Sequence, residues 1–70
     1  MEHKIGEQIA RLRKEQEITQ TTLAGYLKVS PQAVSRWENG VSVPDICLLP
    51  QIAAFFNVSI DELFGVSDYE

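Results

Sequence analysis

The chain has 70 residues, 44% hydrophobic and 23% charged, the composition of one small domain with a single core. No apolar run approaches the ~20 residues of a membrane span, and the N-terminal MEHKIGEQ does not read as a signal peptide, so no membrane role is expected. The net charge of −4 argues against a uniformly basic nucleic-acid binder, but residues 1–36 sum to +2 and residues 37–70, which hold no Lys or Arg, to −6, so only the first half can face a polyanion.

Ile5, Ile9 and Leu12 recur at helical spacing with Arg11, Lys14 and Glu15 between them, which predicts an amphipathic helix over 3–16. Thr19 caps a second helix, Ile18 and Leu23 are placed as a hydrophobic staple, and Leu23, Ala24 and Leu27 form its buried face. Gly25 lies inside that helix, at a cost of about 1 kcal/mol relative to Ala. Glu17 and Lys28 stand where a helix must end at once and a left-handed residue, usually Gly, is expected.

The stretch VSPQAVSRWENG, residues 29–40, is a short helix with its start and stop written in. Ser30 caps it, Pro31 takes the first helical position, and Val29 with Val34 closes a second staple. Asn39 and Gly40 both tolerate the left-handed turn that ends such a helix. Val34 and Trp37 make one apolar side, which places Trp37 in the core. Gln32, Ser35, Arg36 and Asn39 fall on the other side and have no reason to be buried.

After VSV, Pro44 and Pro50 bracket DICLL, so a looser turn is expected before a regular helix from about Leu49 to Phe56, closed by Asn57. Ser59 with Glu62 forms a capping box and Val58 with Leu63 a third staple; Gly65 ends the last helix. These starts predict an all-α bundle of five short helices, with a domain over 1–65 and a tail over 66–70. The pair 19–27 and 31–39 is a helix-turn-helix.

Gln32 and Arg36 lie one turn apart near the start of a short helix, where amide and guanidinium match adenine and guanine edges. The alternative for this segment alone is a solvated polar face. One His, one Cys and no Gly-rich phosphate loop leave no catalytic, metal or cofactor site, so an enzyme is not expected. His3 has no second ligand in sight, and the lone Cys47 cannot form an internal disulfide, which fits a cytoplasmic location.

The run TQTTLAGYLKVSPQAVSRWENG, followed by VPDICLLPQIAAFFNVSIDELFG, resembles the helix-turn-helix domain of phage Cro proteins, phage repressors and their bacterial relatives, the XRE group. The resemblance covers nearly the whole chain and implies a lambda-repressor-like fold and a transcription regulator, expected to repress, whose partner is a double-stranded DNA operator. It implies that Gln20 holds a phosphate and that Ser30, Pro31, Gln32 and Arg36 face the major groove. Ser35 is a weaker candidate there, and Pro31 can offer only apolar contact. Ser30, Asn39 and the loop at Ser42 are implied to meet the DNA backbone. Arg13 and Glu38 match a pair that ties the first helix to the end of the recognition helix.

The chain departs from its relatives where Val41, Ser42 and Val43 replace the Lys or Arg that many carry, so affinity should be modest and its salt dependence weak. Relatives bind as dimers over half-sites about 34 Å apart. Phe55, Ile60, Phe64, Val66 and Tyr69 exceed what one small core needs and are the expected seam of a homodimer, with Phe64 the one most expected to fill the core instead. The competing expectation is an antitoxin or anti-regulator module that binds protein with its acidic half, which the pI of 4.8 favours.

Overall fold

Glu17-Ile18-Thr19, Lys28-Val29-Ser30 and Asn57-Val58-Ser59 are one sequence device used three times. The structure, a computed structural model that describes residues 5–65, shows how it works. The first residue turns left-handed, with φ of 58° at Glu17, 63° at Lys28 and 61° at Asn57. The apolar second residue packs against the core, and its amide closes the preceding helix: Ile18 donates to the Arg13 carbonyl at 2.8 Å, Val29 to Ala24 at 3.0 Å and Val58 to Ala53 at 2.9 Å. The third residue caps the next helix, its hydroxyl accepting from Thr22 N at 3.0 Å, Ala33 N at 3.1 Å and Glu62 N at 3.1 Å. Three residues thus end one helix and begin another.

The helices so bounded are α1 (Ile5–Glu15), α2 (Gln20–Leu27), α3 (Pro31–Glu38), α4 (Leu49–Phe56) and α5 (Ile60–Leu63), with a single 3-10 turn at Ile46–Leu48 leading into α4. This is the expected five-helix architecture, and no strand occurs among the described residues. Glu62 does not complete a capping box; its carboxylate lies 3.7 Å from Arg11 of α1. Gly40-Val41-Ser42 repeats the junction pattern, with Gly40 at φ 77° and the Val41 amide donating to the Arg36 carbonyl at 2.9 Å. No helix follows it directly. Pro44 disfavours helical backbone at Val43, so Ser42 has nothing to cap and Val41 is left 72% exposed. Asn39 sits at φ −95°, so Gly40 alone takes the left-handed turn that both residues could have taken.

The core joins Ile5, Ile9 and Leu12 of α1 to Leu23, Ala24 and Leu27 of α2, Val34 and Trp37 of α3, Ile52, Ala53 and Phe56 of α4, and Leu63 of α5. Trp37 is 5% exposed, as its place beside Val34 requires. Gly6 lies hard against α3: a Cβ there would stand 1.8 Å from the Trp37 carbonyl oxygen. The start of α1 is therefore pressed against the last turn of α3. Among the residues expected at a dimer seam, Phe55 packs on Tyr26 with ring centroids 4.7 Å apart, Phe64 is half-buried against the core, and Ile60 is exposed. Val66, Tyr69, the tail 66–70 and His3 lie outside the described residues.

Gly25 and Gly6 should respond oppositely to alanine. Nothing lies within 4 Å of a Cβ at Gly25, so Gly25→Ala should stabilise by about 1 kcal/mol. Gly6→Ala should destabilise by about 1–3 kcal/mol, because two backbones must separate. Urea midpoints of the two variants check both signs.

Candidate nucleic-acid interface

Val34 and Trp37 hold α3 to the core and thereby turn Pro31, Gln32 and Arg36 outward, all three exposed. Ser35 is half-buried beside them. Asn39 leans back on it, its side-chain amide donating to the Ser35 carbonyl at 3.0 Å and to Ser35 Oγ at 3.3 Å. Gln32 and Arg36 make no side-chain hydrogen bond among the described residues and present their full donor sets outward. Ser30 is exposed with its oxygen engaged as a cap, which leaves its proton to donate, and Ser42 is exposed in the loop after α3.

The angle of this helix is set by one carboxylate. Arg13 Nε donates to Glu38 Oε2 at 2.7 Å and Nη2 to Oε1 at 3.0 Å, a two-pronged pair between α1 and α3. Arg13 Nη1 also donates to the Ile18 carbonyl at 2.9 Å, fixing the guanidinium to the α1–α2 junction. The two side chains are 14% and 9% exposed. Desolvation pushes the Glu38 carboxyl up, but hydrogen bonds from Arg13 and Gln20, with the charges of Arg13 and Lys14, outweigh it and hold the group below its ordinary value. The bond to Glu38 likewise holds Arg13 above its ordinary value.

Gln20 is the residue whose surroundings the sequence did not reveal. It begins α2, as a phosphate-holding residue would, but Nε2 donates to Glu38 Oε1 at 3.0 Å. Its second amide hydrogen makes no hydrogen bond among the described residues. Gln20 thus joins Arg13 and Glu38 in one network that touches α1, α2 and α3. Gly6 is a second residue that sequence reasoning passed over, because a glycine inside a helix also occurs, as at Gly25, where nothing approaches it. A third is Gln16, whose side chain donates to the Phe56 carbonyl at 3.2 Å and ties the end of α1 to the end of α4.

The structure also reassigns the positive charge. Arg13 is committed to Glu38, and Arg11 lies 3.0 Å from Glu15 and 3.7 Å from Glu62. Lys14, Lys28 and Arg36 form no ion pair among the described residues, and Lys4 lies outside them. Cys47 is exposed, and no group of three metal-ligating side chains occurs among the described residues. No helix there is long and apolar enough to cross a membrane.

A tight turn between a helix whose first residue reaches the network and a helix with an outward Gln–Arg face is the geometry of a DNA-reading pair. A family model described as helix-turn-helix matches residues 9–63. The chain belongs to the helix-turn-helix family. It is 42% identical over 59 residues to the HTH-type transcriptional activator BcrR of Enterococcus faecalis, which covers 84% of this chain and 29% of BcrR. It is 37% identical to the antitoxin PezA of Streptococcus pneumoniae, over 94% of this chain and 46% of PezA. The chain therefore spans less than half the length of these two relatives. The P22 c2 repressor, solved in complex with a synthetic operator, superposes with a TM-score of 0.82 at 30% identity over 90% of this chain and 96% of the repressor chain. The likeness to phage repressors seen in the sequence thus extends to the fold.

Glu38→Gln should lower stability by about 3 kcal/mol, the low end for a broken buried pair, because Arg13 is stranded but keeps the Ile18 carbonyl. A double-mutant cycle with Arg13→Ala should show coupling, and additive losses would mean independent charges. The depressed Glu38 value also fixes a pH sign: its stabilisation is complete above the ordinary glutamate value of about 4.3 and is lost as pH falls through the lower folded value. Urea unfolding from pH 6 down to about pH 3 should therefore fall less steeply in Glu38→Gln than in the parent chain.

Proposed function

We propose that this chain is a sequence-specific, double-stranded DNA-binding transcription regulator that reads the major groove with α3. The observation that carries the reading is the outward pair Gln32 and Arg36 on a helix locked from behind by Val34, Trp37 and the Glu38 network. An Arg fork fits guanine O6 and N7, and a Gln amide fits adenine N6 and N7. Ser35 and Pro31 border that pair, the first through its hydroxyl and the second through apolar contact. Gln20, Ser30, Asn39 and Ser42 are assigned to the phosphates, where they position the helix without reading bases. The regulator acts as a homodimer on a two-part operator, and repression is the simplest consequence of occupying it.

The likeness to PezA favours a second reading, in which the same fold serves a toxin–antitoxin pair and the acidic half binds protein. Selection of bound duplexes from a random library separates the two. A regulator enriches a sequence, whereas a pure interaction module enriches none.

On the enriched site, Gln32→Ala and Arg36→Ala should each cost about 1–3 kcal/mol and relax specificity at one or two base pairs. Gln20→Ala should weaken all duplexes alike and leave the preference unchanged, because the two bonds from Arg13 still hold Glu38 and α3 in place. With so few unpaired cations, log K against log salt should have a slope no steeper than about −3 to −4 per half-site. Affinities for the selected and a scrambled duplex, at several salt concentrations, test these assignments together. The assignment fails if Arg36→Ala lowers both affinities equally while Gln20→Ala changes the preferred sequence.

A further inference from the structure

Asn39 and Gly40, both exposed at the end of α3, are a chemically unstable pair. The backbone nitrogen that follows an asparagine can attack its side-chain amide, and a glycine there hinders the attack least. Among the described residues nothing lies within 4 Å of a Cβ placed on Gly40, so no neighbour crowds that position. Asn57, the other asparagine of the chain, is followed by the β-branched, half-buried Val58 and lacks this opening. The folded structure nevertheless holds the reacting atoms apart. With ψ of 3° at Asn39, the Gly40 nitrogen stands beside Asn39's own nitrogen, whereas ring closure needs it beside Cβ. The Gly40 amide donates to the Trp37 carbonyl at 3.2 Å and the Val41 amide to the Arg36 carbonyl at 2.9 Å, so rotating ψ undoes the end of the helix. The Asn39 Nδ2 that must leave is tied to the Ser35 carbonyl at 3.0 Å and to Ser35 Oγ at 3.3 Å.

We propose that Asn39 is a modification site, deamidated spontaneously whenever the last turn of α3 opens, and that the conversion takes the chain off DNA. The site stands on these contacts alone; only the consequence rests on the DNA-reading function proposed above. In the opened turn the Gly40 nitrogen gives its proton to hydroxide and attacks Asn39 Cγ. A new N–C bond forms, the Cγ–Nδ2 bond breaks, and ammonia leaves with a proton taken from water. Water then opens the succinimide at either carbonyl, giving aspartate or its β-linked isomer. Nothing is oxidised or reduced, and water is the one reactant consumed.

Either product replaces a donor with a carboxylate beside the Ser35 carbonyl, at the negative end of the helix dipole and on the face assigned to phosphate. The β-linked product also lengthens the backbone between residues 39 and 40 by a methylene, so the two bonds that close α3 lose their register. Glu38 guards the site, since its bonds to Arg13 and Gln20 fix the same turn. The rate of conversion is then set by the population of the opened turn.

The test incubates the whole chain at mildly alkaline pH, folded or in urea, and weighs the tryptic peptide that begins at Trp37, with fragmentation to place the change. Asn39 should convert about tenfold or more slowly in the folded chain than in urea, and Asn57 should stay intact in both. Gly25→Ala, remote and stabilising, should leave the folded rate within about twofold, because the opening is local. Glu38→Gln added to Gly25→Ala, which helps keep the variant folded, should raise the rate about tenfold. Asn39→Asp, the product itself, should bind the selected duplex at least about tenfold more weakly than the parent chain. Conversion at Asn57 instead of Asn39, or at neither, overturns the site. Equal rates in the folded chain and in urea, or no effect of Glu38→Gln, overturn its protection by the fold. A rate about fivefold slower in Gly25→Ala, as about 1 kcal/mol of global stability dictates, would make the opening an unfolding of the whole chain and overturn the local one. If Asn39→Asp binds like the parent, the consequence for DNA is wrong. If the parent chain selects no duplex at all, the DNA-reading function fails, while the masses still decide the site.

Discussion

The Glu38 carboxylate is the constraint on which the functional face depends. It sits at the end of α3, accepts two bonds from Arg13 of α1 and one from Gln20 of α2, and is nearly shielded from water. A short helix of eight residues has little stability of its own and no fixed direction relative to its neighbours. Hydrophobic contacts through Val34 and Trp37 hold it in place but are tolerant of rotation. Hydrogen bonds to a charged group are directional, so the network supplies the orientation that packing alone leaves loose. Gly6 completes the restraint from the other side, since its missing side chain lets the α1 backbone touch the Trp37 carbonyl.

Ion pairing within the fold takes two of the six basic side chains out of the charge available to a ligand. Arg13 is used inside the fold and Arg11 is partnered by Glu15 and Glu62. What is left at the α3 surface is one arginine, a glutamine and hydroxyl or amide groups. On the proposed function, recognition by such a face leans on hydrogen bonds of defined geometry more than on counterion release. The loop at Val41–Val43 belongs to the same economy of charge: it exposes two valines and carries no cation.

Much of the fold was legible in the sequence because its boundaries are local. A left-handed residue, an apolar residue and a hydroxyl cap occupy three consecutive positions at Glu17, Lys28 and Asn57, and each set depends on few residues beyond its own turn. Pro44 and Pro50 likewise announced an irregular entry into α4, which is the 3-10 turn at Ile46–Leu48. The outward placement of Gln32 and Arg36 followed from the spacing of Val34 and Trp37 on a helix with known ends. The Arg13–Glu38 pair, 25 residues apart, was accessible only because the chain resembles its family.

By itself the sequence determined the five helices, their hydroxyl caps, the core faces and the outward face of α3, since each follows from the conformational preferences of neighbouring residues. Only the tertiary structure decided which side chains meet. Gln20 reaching Glu38, Arg11 reaching Glu62, Tyr26 stacking on Phe55 and Gly6 admitting the Trp37 carbonyl all join residues distant in the chain. Their proximity depends on helix crossing angles and on the direction of long side chains, and no local pattern encodes either. That is why the charges left unpaired, and the place of Gln20 beside Glu38 and Arg13, emerged only from the folded molecule.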